Sequence, residues 1–139
     1  MLKVRSIAPA LFVALVVAAA VDGVAVALEP VYDVVDHPLP GSAQHLSMDA
    51  IRGAIMAACK QRQWLFRASG PGELLATQEA HGYRAKVKVT YSQKAYSISL
   101  VATNMERSGN EIYGKYNRWI RNLEKDIDVQ LAVEAVQSQ

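Results

Sequence analysis

The chain has 139 residues, of which 51% are hydrophobic and 20% are charged, with 5 Pro and 8 Gly. This composition fits one compact domain and excludes a collagen-like, disordered or highly charged chain. A single cysteine cannot form an internal disulfide framework, so a disulfide-stapled scaffold is excluded as well.

The N-terminal segment has the three parts of a secretory signal peptide. Lys3 and Arg5 form a short basic region, and Ile7–Val21 is a run of fifteen residues without a charged side chain. Ala25-Val26-Ala27 supplies the small residues of a signal-peptidase site. The pattern predicts a cleavable signal peptide over residues 1–27 and a periplasmic product.

The alternative for this segment is an uncleaved anchor in the inner membrane. A spanning helix needs about 20 apolar residues, whereas this run is shorter, contains Pro9 and ends at Asp22-Gly23. The only cysteine is Cys59, so the cleavage point offers no cysteine for lipid attachment. Cleavage after Ala27 leaves 13 basic and 12 acidic residues, a net charge of +1. Such a nearly neutral product is not expected to bind nucleic acid.

A short strand and a helix are predicted next. The β-branched residues of Val31–Val35 favour a strand and the following prolines favour a loop, which together fill residues 28–46. Ser47 is a suitable helix cap. Apolar residues then recur at every fourth position and predict a helix that ends near Arg62: Ile51, Ile55 and Cys59.

Four strands are predicted after this helix. Trp64–Arg67 and Glu73–Ala80 are separated by the turn Ser69–Gly72, and two further segments, Tyr83–Tyr91 and Tyr96–Thr103, alternate along their length. Period-2 alternation indicates an antiparallel hairpin with one buried and one solvent-facing side. In the second strand of this hairpin, the side chains expected to face the core are Tyr96, Ile98, Leu100 and Ala102.

The C-terminal part is predicted to be a polar loop and a long helix. The loop covers Asn104–Asn110, the helix runs from about Glu111 to about Val133, and residues 134–139 form a tail. The element order β-α-β-β-β-β-α predicts an α+β two-layer sandwich. Its antiparallel sheet of four or five strands carries two helices packed on one face, and the α+β domain spans residues 47–133.

Several segments resemble a family of small exported proteobacterial proteins. They are Ile51–Trp64, Gly70-Pro71-Gly72, Val87–Tyr91 with Tyr96–Ile98, Ile112-Tyr113, and Tyr116–Ile120 with Asn122-Leu123. The Tyr-Asn-Arg-Trp sequence is the most specific of them. The pattern covers about residues 47 to 131. Members of this family are hypothetical proteins and lipoproteins without an assigned activity, so the resemblance implies export and transfers no catalytic residue.

The sequence departs from that family at two points. It lacks the lipobox cysteine of many members, and Tyr83 and Tyr113 stand where many relatives have histidine. The second departure argues against a histidine-dependent site.

No pattern in the chain predicts a catalytic, cofactor or metal site. Cys59 lies on the apolar helix stripe without a histidine or acidic neighbour at helical spacing, which favours burial over reactivity. Neither a nucleophile elbow nor a phosphate-binding loop is present. The histidines are scattered over turns and show no metal-ligand spacing: His37, His45 and His81.

The polar side of the predicted hairpin gives the strongest indication of binding. Arg84, Lys86 and Lys88 alternate along one strand, and clustered cations attract acidic partners. The alternative is that these cations only keep the open face soluble. Arg118 in the last helix is a further candidate, although beside Trp119 it can equally stack on an aromatic ring or bind a loop carbonyl.

Two classes of function remain open. The first is a non-catalytic binding or scaffolding module, whose partner is an envelope protein or another anionic envelope component. The second is a small periplasmic hydrolase or ligand carrier with a pocket between helices and sheet. The inward-facing positions are apolar or aromatic, which favours the binding module.

Overall fold

The computed structural model describes residues 26–139, so nearly all of the predicted signal peptide lies outside the described residues. No helix within residues 26–139 combines the length and the apolar character needed to cross a bilayer. The elements follow in the order β1 (Leu28–Pro30), β2 (Val34–Pro38), α1 (Met48–Gln61), β3 (Leu65–Gly70), β4 (Glu73–Ala80), β5 (Tyr83–Tyr91), β6 (Ala95–Thr103), β7 (Arg107–Ser108), β8 (Glu111–Tyr113) and α2 (Gly114–Gln137).

An antiparallel sheet of five strands forms one layer, with the strand order β2-β6-β5-β4-β3. Both helices pack on one face of this sheet, and the predicted α+β fold is confirmed. The largest side chains buried between the layers are Trp64, Tyr96 and Tyr116. A second sheet, which the sequence does not reveal, has three short strands in the order β1-β8-β7.

Helix α1 forms as its sequence predicts. The Ser47 hydroxyl accepts a hydrogen bond from the Ala50 N–H at 3.1 Å, which satisfies one of the free donors at the helix start. The predicted apolar stripe, Ile51, Ile55 and Cys59, is fully buried. This narrow stripe with alanines beside it brings the helix close to the sheet.

The hairpin of β5 and β6 differs from the prediction at one point, where β6 contains a β-bulge. Lys86 pairs with Ala102, whereas Val87 pairs with Leu100, so Val101 is an additional residue in β6. A bulge reverses the inward and outward alternation beyond it. Ala102 therefore lies exposed on the open side of the sheet, and its expected place in the core is wrong.

The predicted strand Val31–Val35 is also wrong in its bounds. The structure has two strands here, β1 and β2, joined by residues 31–33. Strand β1 pairs with β8 and β2 pairs with β6, so the two strands belong to different sheets. The predicted loop Asn104–Asn110 contains β7, which pairs with β8. Strands of two or three residues are too short to leave an alternating pattern in the sequence.

Helix α2 begins at Gly114 rather than near Glu111, because residues 111–113 pair with β1. The Glu29 carboxylate packs against the first residue of the helix. A Cβ at Gly114 would lie 2.7 Å from Glu29 Oε1, so only glycine fits there without a shift. The helix continues to Gln137, beyond its expected end near Val133.

Asn117, in the second turn of α2, joins the N-terminal segment to the domain. Its side chain is buried, and its Oδ1 accepts the Tyr32 N–H at 2.9 Å. Its Nδ2 donates to the Pro30 carbonyl at 2.8 Å and to Glu29 Oε2 at 3.1 Å. One amide thus satisfies three groups of the chain from Glu29 to Tyr32.

We expect Asn117→Ala to lower the free energy of unfolding by about 2–3 kcal/mol, because it leaves the Tyr32 N–H and the Pro30 carbonyl without partners. Asn122→Ala, on the same helix, is the matched control and should cost less than about 1 kcal/mol. Urea unfolding followed by circular dichroism measures both. Equal losses for the two variants would contradict this role of Asn117.

Candidate functional site

The open face of the five-stranded sheet, opposite the two helices, carries the predicted basic residues. Arg84, Lys86 and Lys88 all project from β5 on this side. The intervening residues of β5 are fully buried beneath the helices: Ala85, Val87 and Val89. The alternation read from the sequence therefore places the three cations on the solvent side of the sheet.

Carboxylates already neutralise two of these three cations. Arg84 Nη1 lies 3.7 Å from Glu79 Oε1, and Lys88 Nζ lies 3.6 Å from Glu73 Oε1. Exposed ion pairs of this kind contribute less than about 1 kcal/mol to stability. Within residues 26–139, no carboxylate lies within 4.0 Å of Lys86. Lys86 is thus the cation of this strand that is free to meet a partner.

The pairing of β3 with β4 brings further residues to the open face that the sequence did not predict there. Leu65 pairs with Thr77, and Arg67 pairs with Leu75. Directly paired residues share a face, so Leu65, Arg67 and Leu75 join the cations of β5 on the open face. The Leu65 side chain is 77% exposed. The turn Ser69–Gly72 predicts a β3–β4 hairpin, but only its register shows which side chains lie beside Lys86.

These side chains enclose a shallow groove of about 400 Å³ on the open face. Like Lys86, Arg67 has no carboxylate within 4.0 Å in residues 26–139. The groove combines two leucines with the two free cations. The groove is lined by Leu65, Phe66, Arg67, Leu75, Thr77, Glu79, Arg84 and Lys86. Such a surface suits an apolar side chain flanked by carboxylates.

Arg118 does not join this site, because it lies in the helical layer. It is exposed on α2 and lines a separate concavity of about 290 Å³ with Lys115, Arg121 and Glu29. The Lys115 ammonium is 5.2 Å from the centre of the Tyr83 ring. The structure therefore has two separate basic surfaces. Of the four residues predicted to bind a partner, three lie on the open face of the sheet and Arg118 lies on the helix.

A polar cluster joins β2 and the residues before it to α2. His37 Nε2 lies 3.0 Å from Asp128 Oδ2, and His37 Nδ1 lies 4.0 Å from Glu124 Oε2. The Tyr96 hydroxyl donates to Asp128 Oδ1 at 2.8 Å, and the Tyr32 hydroxyl donates to Glu124 Oε1 at 2.9 Å. Both ring nitrogens of His37 therefore face carboxylates of α2.

The two tyrosines of this cluster are held as hydrogen-bond donors. Burial and the hydrogen bond to Asp128 raise the pKa of the Tyr96 hydroxyl far above its usual range. The hydrogen bond to Glu124 and burial raise the pKa of Tyr32. Both hydroxyls therefore remain protonated at neutral pH. The cluster acts as a structural link between the two layers.

The remaining candidates for chemistry are buried or dispersed. Cys59 is fully buried, and burial raises the pKa of its thiol to about 12. His45 and His81 lie exposed in loops far apart along the chain. Within residues 26–139, no group of three or more His, Cys, Asp or Glu side chains is arranged to hold a metal ion.

The space between helices and sheet is filled by apolar and aromatic side chains. Two buried polar atoms, Trp64 Nε1 and the Tyr116 hydroxyl, have no hydrogen-bond partner within residues 26–139. Neither residue lines the groove of the open face or the concavity beside Arg118. Burial and the nearby Asp33 carboxylate raise the pKa of the Tyr116 hydroxyl, and the nearby Arg107 opposes this shift.

Comparison with known proteins finds no matching family model, no matching curated protein and no matching solved structure.

At pH 8 we expect the native Cys59 thiol to react with a disulfide reagent at least about 1000-fold more slowly than the thiol of the denatured chain. The thiolate is the reactive form, and a pKa near 12 leaves a very small fraction of it at this pH. Absorbance at the wavelength of the released thiol measures both rates. Equal rates in buffer and in denaturant would show that Cys59 is accessible.

Proposed function

We propose that the protein is an exported, non-catalytic module of the cell envelope that binds an acidic segment of a partner protein through the open face of its sheet. The site consists of Arg67, Lys86, Leu65 and Leu75, with Arg84 and Lys88 at its border. Arg118 belongs to the second basic surface and is not part of this contact.

Export is supported by the agreement between the predicted cleavage point and the first strand of the described residues. The first strand starts at Leu28, the residue that follows the Ala-x-Ala sequence. The Gly114 N–H donates to the Ala27 carbonyl at 3.3 Å, which is a long hydrogen bond at the margin of the domain. Among the described residues, cleavage after Ala27 would remove this one hydrogen bond, and the pairing of β1 and the hydrogen bonds of Asn117 involve residues after the cleavage point.

The binding role rests on one observation, the combination of free cations with two leucines in the groove, of which Leu65 is exposed and Leu75 is half-buried. Lys86 and Arg67 lack carboxylate partners in the described part of the chain, and Leu65 is 77% exposed beside them. A protein interface typically has an apolar anchor in a pocket with charges around it. Cations needed only for solubility require no such exposed apolar neighbours.

The distribution of charge favours a protein partner over an anionic lipid surface. Glu73 and Glu79 lie among the cations of the open face. A bilayer of anionic headgroups would bring negative charge against both carboxylates, which is unfavourable. A protein can instead place its carboxylates opposite Arg67 and Lys86 alone. Complementary patterning of this kind selects one partner and rejects others.

Lys86→Glu tests the proposed surface without breaking an ion pair. We expect the Lys86→Glu variant to capture at least about tenfold less of its envelope partner than the wild type does. Reversing a charge at the centre of an interface typically costs over about 1.4 kcal/mol of binding free energy, which corresponds to a factor of ten in affinity. The measurement is capture from a detergent-solubilised envelope fraction at low and at physiological salt, with quantification by mass spectrometry.

The matched control for this experiment is Lys125→Glu, an exposed lysine on α2 in the other layer. Both variants should melt within a few degrees of the wild type. Lys125 is exposed, and Lys86 is half-buried with its charge on the solvent side of the sheet, and surface substitutions of this kind usually shift stability by about 0.5 kcal/mol or less. If Lys86→Glu folds and captures the same proteins as Lys125→Glu, the open face is not the binding surface.

The export part of the proposal gives a separate expectation. The product isolated from the periplasm should begin at Leu28, since the Ala25-Val26-Ala27 sequence marks the cleavage point. Intact-mass measurement of the expressed protein decides this directly. A mass that includes residues 1–27 would mean that the protein stays anchored in the inner membrane.

A further inference from the structure

We propose that the outer edge of β3 binds an extended acidic segment of the partner protein as a sixth strand of the sheet. This inference rests on the proposed function, because it uses the same face. It adds the backbone conformation of the partner and the direction from which the partner approaches.

Strand β3 is an open edge. It is the last strand in the order β2-β6-β5-β4-β3 and pairs with β4 alone. In such a strand, every second residue directs its N–H and C=O groups away from the sheet. Leu65, Arg67 and Ala68 are all exposed. The pairing with β4 is regular from Leu65 to Ala68, so this edge is a straight template of four residues.

The opposite edge of the sheet does not offer such a template. Strand β2 carries a bulge between Val34 and His37, and within it Asp36 has a φ of 49°. The Asp36 N–H is already bonded to the Ser97 hydroxyl at 2.9 Å, and the strand ends at Pro38. Bulges and prolines are common means of blocking an edge. The fold therefore blocks one edge and leaves the other open beside the groove.

The charge at this edge specifies an acidic segment. On the open face, an added strand would lie directly beside Leu65 and Arg67, with Lys86 two strands further in. A carboxylate opposite Arg67 would meet a cation that no residue of the described chain neutralises. On the other face, the added strand would contact Phe66 and Ala68. Acidic residues alternating with apolar residues fit this pattern.

A second copy of this chain is a less suitable occupant. Pairing β3 with itself would place two equally charged faces side by side, with the uncompensated Arg67 of both chains near the centre of the contact. Like charges close together across a sheet are destabilising. An anionic bilayer also fails to fit, because it supplies no regular row of donors and acceptors for the backbone of β3.

The test uses three probe peptides of eight residues that alternate glutamate and valine. One is unmodified, one is N-methylated at its internal glutamates, and one at its internal valines. In a strand, successive N–H groups point to opposite edges, so the two modified peptides lose donors on opposite edges with the same charge. We expect the unmodified peptide and one modified peptide to bind alike, and the other to bind at least about tenfold more weakly.

Binding is measured by fluorescence anisotropy on the chain from Leu28, and the contact is located by amide chemical shifts. The shifts should be largest from Leu65 to Ala68. Arg67→Glu and Lys86→Glu should both weaken the unmodified peptide, whereas Lys125→Glu should leave it unchanged. Arg67 and Lys125 are exposed and Lys86 is half-buried with its charge on the open face, so we expect all three variants to fold, which the same spectra check.

Other outcomes would overturn strand addition. If the two methylated peptides bind with equal affinity, whether high or low, backbone pairing does not contribute to binding. The proposed function would still be supported in that case if the wild type captures its envelope partner and the Lys86→Glu variant does not. No binding of any peptide up to about 1 mM would also overturn strand addition. Tighter binding to phosphatidylglycerol vesicles would favour a lipid surface, and a sedimenting dimer with protected β3 amides would favour a second copy.

Discussion

Two helices cover only one face of the five-stranded sheet, and the rest of the structure depends on this asymmetry. The strands must present apolar side chains to the helices and polar side chains to water, which the alternation of β5 does in full. The open face can then carry binding residues without disturbing the core. The exposed Leu65 beside the half-buried Leu75 is therefore a feature of that face that solubility alone does not require.

The N-terminal segment is part of the domain because buried hydrogen bonds hold it against α2. Asn117 binds the chain on either side of Val31, and the His37 and Tyr96 contacts to Asp128 hold β2 against the same helix. These contacts also shape the sheet edge, since they fix the bulged strand β2. The same interactions that complete the fold thus leave β3 as the edge available to a partner.

Regular periodicity explains how much could be predicted from the sequence. Helix α1 and the hairpin β5–β6 are long enough for their patterns to show, and their side chains face as expected up to Val101. The bulge at Val101 turns the Ala102 side chain to the opposite face of the sheet. The alternation of the residues around Val101 does not indicate that a bulge is present. The division of the N-terminal strand and the start of α2 at Gly114 depend on Glu29 and Asn117, which are distant from each other in sequence.

The binding site was only partly predictable for the same physical reason. Arg84, Lys86 and Lys88 share one strand, so their common face follows from a period of two. Arg67 and Leu65 lie on that face because of the register in which β3 pairs with β4. Arg118 does not lie on it, because the last helix is in the other layer. Contacts between strands are set by register, which composition and spacing do not encode.

The most direct test of the open face as a binding surface is the accessibility of Lys86 in its native surroundings. Cells with a permeabilised outer membrane and the purified chain are treated with the same amine-acylating reagent, and the modified lysines are quantified by mass spectrometry. The account expects Lys86 to be acylated several-fold less in cells than in the purified chain, with Lys125 modified equally in both. Equal acylation of Lys86 in the two samples would contradict it.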